Sequence, residues 1–216
     1  MTDFFKHIPR EKKEYIVFGI IISGALLFRL FLLKYRFVAA FDEVHYLQMA
    51  AASVRNGMGE VFHPFWSPFY PFVVSMVNRV ISSTEAAGRL VSVTSAIVLV
   101  VVLYSFSRHY LAPEKRVYAL LWPAFLPTFA YLPTGALTEP LYLLLSFSGI
   151  VTGWRVLRDK HWSRGWIPGI LFGFTYLTRP EGGGFFLVYL MLTFLLGIYH
   201  LVKKGNWRYI GIACAE

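Results

Sequence analysis

Apolar residues in this chain fall in long runs. Six of them, 15–33, 88–107, 117–132, 140–156, 165–178 and 183–202, reach or approach the roughly 17–25 residues a helix needs to cross a bilayer. The third and fifth are short. A seventh run, 65–81, follows Pro64 and carries Pro68 and Pro71, so it reads either as a span or as a juxtamembrane helix. Ahead of it, 42–55 has the period of an amphipathic helix. Val44, Leu47, Ala51 and Val54 form one stripe, and Asp42, His45, Tyr46 and Met49 lie on another face. Such a helix would lie in the interface plane, and Asn56-Gly57 would end it. The pattern predicts an all-α polytopic transmembrane helical bundle, about six spans, with juxtamembrane helices in a first outer loop over 34–87.

The basic residues choose between the two readings of 65–81. With a cytoplasmic N-terminus and 65–81 kept out of the membrane, 14 Lys and Arg face the cytoplasm. Six face outward (Lys34, Arg36, Arg55, Arg79, Arg89 and Arg179), and Arg29 lies inside the first span. If 65–81 spans, every later loop flips and the division becomes 7 inside against 13 outside. The positive-inside rule selects the first arrangement. The first run has 19 residues and is followed by Lys34-Tyr35-Arg36 instead of a small-residue cleavage site, so it reads as a retained span. The expected location is an integral protein of the cell's inner or plasma membrane. Its N-terminus would be cytoplasmic and its active face external, periplasmic or lumenal.

Composition agrees. Of 216 residues, 56% are hydrophobic and 15% charged, against about 25% charged in soluble domains, which excludes an ordinary soluble or disordered chain. The net charge of +9 invites a nucleic-acid reading. The outer side, however, carries six acids (Asp42, Glu43, Glu60, Glu85, Glu139, Glu181) against its six bases, so the whole excess lies on the inner side. The charge is topological and needs no nucleic acid. A lone cysteine, Cys214, excludes an intramolecular disulfide and any multi-thiolate zinc site.

No P-loop, G-x-S-x-G, H-E-x-x-H, EF-hand or D-x-D pattern is present. What stands out is where ionisable groups gather: Asp42-Glu43-Val44-His45-Tyr46 at the start of the outer loop, Arg89 opening the second span, Glu139 opening the fourth, and Arg179 with Glu181 between the fifth and sixth. In the preferred topology all face one side and could converge on a polar cavity roofed by 65–81. A carboxylate there can take a proton from an attacking hydroxyl or hold a metal, and an arginine can bind phosphate as a fork. Each feature also has a plain structural reading. Asp42-Glu43 suits a helix N-terminus, Thr138-Glu139-Pro140 is a helix start, and Arg179 suits a headgroup anchor. Gly165, Gly169 and Gly173, four apart, suggest close helix packing. Only the joint pattern favours chemistry.

These elements, in this order, resemble the GT-C superfamily of membrane glycosyltransferases, in the branch of protein O-mannosyltransferases and lipid A aminoarabinose transferases. The resemblance rests on Phe41-Asp42-Glu43-Val44-His45-Tyr46, the Pro/aromatic stretch His63-Pro64-Phe65-Trp66-Ser67-Pro68-Phe69-Tyr70-Pro71, Gly88-Arg89-Leu90, Leu137-Thr138-Glu139-Pro140-Leu141 and Tyr176-Leu177-Thr178-Arg179-Pro180-Glu181-Gly182. It implies a polyprenyl-phosphate-linked sugar donor arriving from the membrane lipids, and transfer with inversion at the outer face. Asp42 would be the catalytic carboxylate, with Glu43 supporting it. Glu139, with His45, would bind acceptor or a divalent metal. Arg179, Arg89 and His63 would bind the donor phosphate. Some relatives carry basic phosphate-binding residues in the first loop and the juxtamembrane segment, where this chain offers His45, and His63 or Ser67.

The chain reads as one such module over 1–216. The 210–216 stretch looks like the first turn of another span, so the module is expected to be truncated before further spans. The alternatives are a transporter, disfavoured because the span interiors are almost free of charge, and a non-catalytic membrane subunit that works with a partner in a glycan-assembly or transport complex.

Overall fold

The structure, a computed structural model, describes residues 10–36, 39–159 and 161–204. The 210–216 stretch expected to open a further span lies outside them. Among the described residues there are nine α-helices and no strand: α1 (Arg10–Leu33), α2 (Phe41–Asn56), α3 (Phe69–Ile81), α4 (Thr84–Tyr110), α5 (Pro113–Phe125), α6 (Pro127–Tyr131), α7 (Glu139–Asp159), α8 (Trp166–Thr178) and α9 (Gly182–Lys204). The chain forms a polytopic helical bundle, as the hydrophobic runs predict. It divides into two compact units at Leu144/Leu145.

Of the about six expected spans, four occur among the described residues as single helices long and apolar enough to cross a bilayer: Lys12–Leu33, Thr84–Tyr110, Glu139–Asp159 and Gly182–Tyr199. The fifth run yields only the 13-residue α8. At 1.5 Å per residue that is about 20 Å, against roughly 30 Å of hydrocarbon. The 13-residue α3 falls short by the same measure, which fits the juxtamembrane reading of 65–81.

The third run is cut in two by proline. Pro127 pushes the residue before it out of the helical region, and Leu126 sits at φ −56°, ψ 127°. Pro127 also has no N–H for the carbonyl of Pro123, and Pro133 none for that of Phe129. In apolar surroundings an orphaned carbonyl is costly. The guanidinium of Arg29, 1% exposed, supplies the missing donors. Its Nη2 donates to the carbonyls of Pro123 (3.1 Å) and Phe129 (3.2 Å). Its Nη1 donates to those of Ala124 (2.9 Å) and Ala25 (3.1 Å).

Around this joint the first unit packs α1, α4 and α5 through Ile21, Ala25, Val100, Tyr104, Leu120 and Ala124. Phe18 stacks on Tyr104 with ring centres 4.0 Å apart. Near the start of α1 a second polar tie joins the same helices. Glu14 accepts from Arg116 at 2.8 and 3.0 Å and from the Tyr104 hydroxyl at 2.9 Å. Helices α2 and α3 pack against each other and against α4.

Against the rest of the first unit α2 buries Glu43, Tyr46, Met49, Ala50 and Ser53, while Val44 and Val54 of the apolar stripe are exposed.

In the second unit α8 and α9 pair closely. Phe172 is buried, 5.7 Å from the Tyr189 ring centre. The expected close packing at Gly169 and Gly173 is not found, since a Cβ at either would meet nothing within 4 Å. At the α8–α9 turn Gly182 is tight against backbone, where a Cβ would come within 2.6 Å of the Thr175 carbonyl carbon. Backbone cannot yield as a side-chain tip can, so Gly182→Ala is expected to lower the thermal midpoint in detergent by roughly 3–10 °C. Gly184→Ala, facing open space, is expected to cause no loss in the same measurement.

Candidate active site

The segment that follows α1 leads into α2. Arg36 leaves α1 and meets the first turn of α2, where Glu43 is 1% exposed. Oε2 of Glu43 accepts from Arg36 Nη2 at 2.9 Å and from the Ala40 N–H at 3.2 Å. The Ala40 bond is half of a capping box, because Ala40 has no side-chain oxygen to return it. Oε1 accepts from the Ala136 N–H at 2.7 Å. Burial pushes the Glu43 carboxyl upward, but the Ala136 N–H, Arg36 and the Ala40 N–H outweigh it and hold the group below its ordinary 4.5.

Arg36 is held as firmly as its partner. Its guanidinium lies 5.2 Å from the Tyr131 ring centre and flat against Gly135. A Cβ on Gly135 would fall within 2.3 Å of Nη2, so only glycine lets the chain pass.

A second tie secures the same segment. Ser92 Oγ donates to the Leu137 carbonyl at 3.0 Å. The buried Tyr70 hydroxyl lies 3.0 Å from Ser92 Oγ and 3.1 Å from the Gly88 carbonyl. Burial pushes the Tyr70 phenol well above its ordinary value, and the charges of Glu43 and Glu139 add to that, so it stays protonated. Residues 136 and 137 are thus pinned from α2 and α4 just before Glu139 opens α7.

Within the first unit these contacts gather one end of the bundle: the C-terminus of α1 and the N-termini of α2, α4 and α7. Asp42 is exposed there, with no hydrogen bond or ion pair among the described residues. His45, one turn on, stacks on Trp66 (5.1 Å, 19°) and meets Phe41 edge-on at 4.4 Å. His63 Nδ1 accepts from the Phe65 and Trp66 N–H groups at 3.1 and 3.2 Å. In the neutral ring this leaves Nε2 to carry the proton, as the one donor available to a phosphate. Arg89 pairs with Glu85 one turn before it, and its buried Nε has no acceptor. Glu139 is half-buried, and Thr138 Oγ1 lies 3.5 Å from its Oε2. In the second unit Arg179 caps α8 through its N–H to Thr175 and lies 3.5 Å from Glu181.

A divalent metal fits this residue set poorly. Among the described residues no three His, Cys, Asp or Glu side chains come together to hold an ion. Sequence reasoning did not single out Arg36, Tyr70, Ser92 or the Ala136 backbone. Arg29, a charge inside an apolar run, was the one visible signal.

A family model described as dolichyl-phosphate-mannose-protein mannosyltransferase matches residues 63–215, well over half of the chain. No curated protein and no solved structure matches. The chain belongs to this mannosyltransferase family of membrane glycosyltransferases, as its motifs implied. The matched segment begins at His63, so Asp42, Glu43 and His45 lie ahead of it.

Removing one partner of a buried ion pair costs about 3–5 kcal/mol. Glu43→Gln is therefore expected to destabilise the first unit by about that much, read as an earlier thermal transition. A depressed carboxyl stabilises above its unfolded value and loses that contribution as pH falls through the folded one. The native protein should thus lose stability below about pH 4.5, and the Glu43→Gln profile should be flatter over that range.

Proposed function

We propose that this member of the mannosyltransferase family transfers a sugar from a polyprenyl-phosphate carrier to an acceptor hydroxyl at the outer membrane face, with Asp42 as the base. The observation that carries the reading is the contrast between adjacent acids. Glu43 spends its acceptor capacity on Arg36, Ala40 and Ala136, while Asp42 on the same turn is exposed and has no partner among the described residues. A general base must be reachable and unengaged, yet carried on a backbone that does not drift. Asp42 meets all three conditions, and Glu43 supports it as a positioning residue.

In this reading the acceptor oxygen attacks the anomeric carbon and gives its proton to Asp42. The bond from that carbon to the carrier phosphate breaks, and its electron pair leaves on the phosphate. Direct displacement inverts the anomeric centre. Arg89 neutralises the leaving phosphate, with the Nε2–H of His63 as a further donor. Glu139 and His45 hold the acceptor. The family name points to dolichyl-phosphate mannose as donor and a protein hydroxyl as acceptor.

Asp42→Asn is expected to reduce transfer from a polyprenyl-phosphate sugar by at least 100-fold, within the 10²–10⁴ range for general-base loss, with membrane expression unchanged. Undiminished transfer would remove Asp42 from the mechanism. Sidedness is tested separately with single cysteines in a Cys214→Ser background. A membrane-impermeant maleimide is expected to label Glu60→Cys in intact cells and Arg164→Cys only after permeabilisation, and the reverse result would invert the topology.

A further inference from the structure

Arg29 is a charge in the interior of a membrane-spanning helix, a placement that usually marks a function and a partner. Four of its five N–H groups are accounted for by the carbonyls of Ala25, Pro123, Ala124 and Phe129. The fifth, on Nε, is buried and has no acceptor. Carbonyls satisfy hydrogen bonds but do not neutralise a charge, and no ion pair to Arg29 occurs among the described residues. Beside it is a small cavity of about 20 Å³ whose lining includes Arg29, Pro123, Phe129, Pro133 and Glu139. That volume accommodates one water molecule, which needs two to four polar partners to be stable there. Phosphate or sugar would not fit.

We infer that Arg29 and Glu139 form one buried electrostatic unit across this cavity, joined by a single water that accepts from Arg29 Nε–H and donates to the Glu139 carboxylate. The unit gives Arg29 a counter-charge and fixes Glu139 from the membrane side, while Thr138 and the pinned 136–137 backbone fix it from the loop side. Arg29 is then a positioning residue for Glu139 as well as the donor that closes the proline-broken α5–α6 joint. The inference concerns folding geometry and stands whether or not the chain transfers sugar.

A double-mutant cycle on thermal unfolding in detergent separates the two roles. Arg29→Met is expected to lower the midpoint by roughly 5–10 °C and Glu139→Gln by about 2–4 °C. The double variant should unfold later than the sum of the two losses predicts, because both substitutions remove the same water-bridged contact. Simple addition of the two losses would overturn the unit and leave Arg29 as a cap for broken helices only. If Arg29→Met does not accumulate in the membrane, the cycle is run with Arg29→Lys, which keeps a charge but lacks the Nε–H. Glu139→Gln should then cost less than half of what it costs in the native chain, and an undiminished cost would overturn the proposal.

Discussion

The stretch from Pro123 to Pro140 must run irregularly through apolar surroundings, and the first unit is organised around satisfying its backbone. Pro127 and Pro133 remove two donors from what would otherwise be a continuous helix, and a bilayer supplies no water to replace them. Side chains do so instead. Arg29 from α1 takes the carbonyls at the first break. Glu43 from α2 takes the Ala136 N–H, and Ser92 from α4 gives to the Leu137 carbonyl. Three helices are thereby bound to one strand of irregular chain. Their ends meet because the groups that satisfy it sit at those ends.

This accounts for the unequal fates of Asp42 and Glu43. Side chains at successive helix positions diverge by about 100°, so an acid pair at a helix start cannot have both members inside. Glu43 reaches inward, finds a cation and two N–H groups, and is better satisfied buried than exposed. Asp42 is left outside by the same rotation. Its freedom is a consequence of its neighbour's engagement, and that engagement keeps its backbone still.

Much of the architecture was legible because hydrophobic runs are long-range and redundant. The helical class and the approximate helix starts followed from them and from proline positions. The features that were missed share one physical origin. The face of α2 that packs on the protein, the close approach at Gly182 and the role of Arg36 depend on tertiary contacts. Glu43 turns inward only because Arg36 and Ala136 meet it there. Gly169 and Gly173 carry the spacing of a packing motif, yet the close approach falls at Gly182 because the α8–α9 turn brings it onto Thr175. The break at Pro127 could be anticipated, but the donor that makes it tolerable stands about a hundred residues earlier. Of the candidate site, the acids and bases were visible as residue types. Which of them are spent on structure was not.

That last distinction carries the chemical argument. In a membrane protein a buried ionisable group is commonly taken as a mark of function, yet the most buried acid and bases here, Glu43, Arg29 and Arg36, are engaged with backbone or with each other. Groups so engaged have little capacity to change partners during a reaction. The groups that retain it are the exposed or part-exposed ones nearby: Asp42, with no partner among the described residues, and Arg89, whose pairing to Glu85 is part-exposed. Surface ion pairs are weak and exchange readily, so Arg89 can exchange Glu85 for another anion at less cost than Arg36 can release Glu43. Burial thus separates the residues that build this end of the bundle from those left free to change partners there.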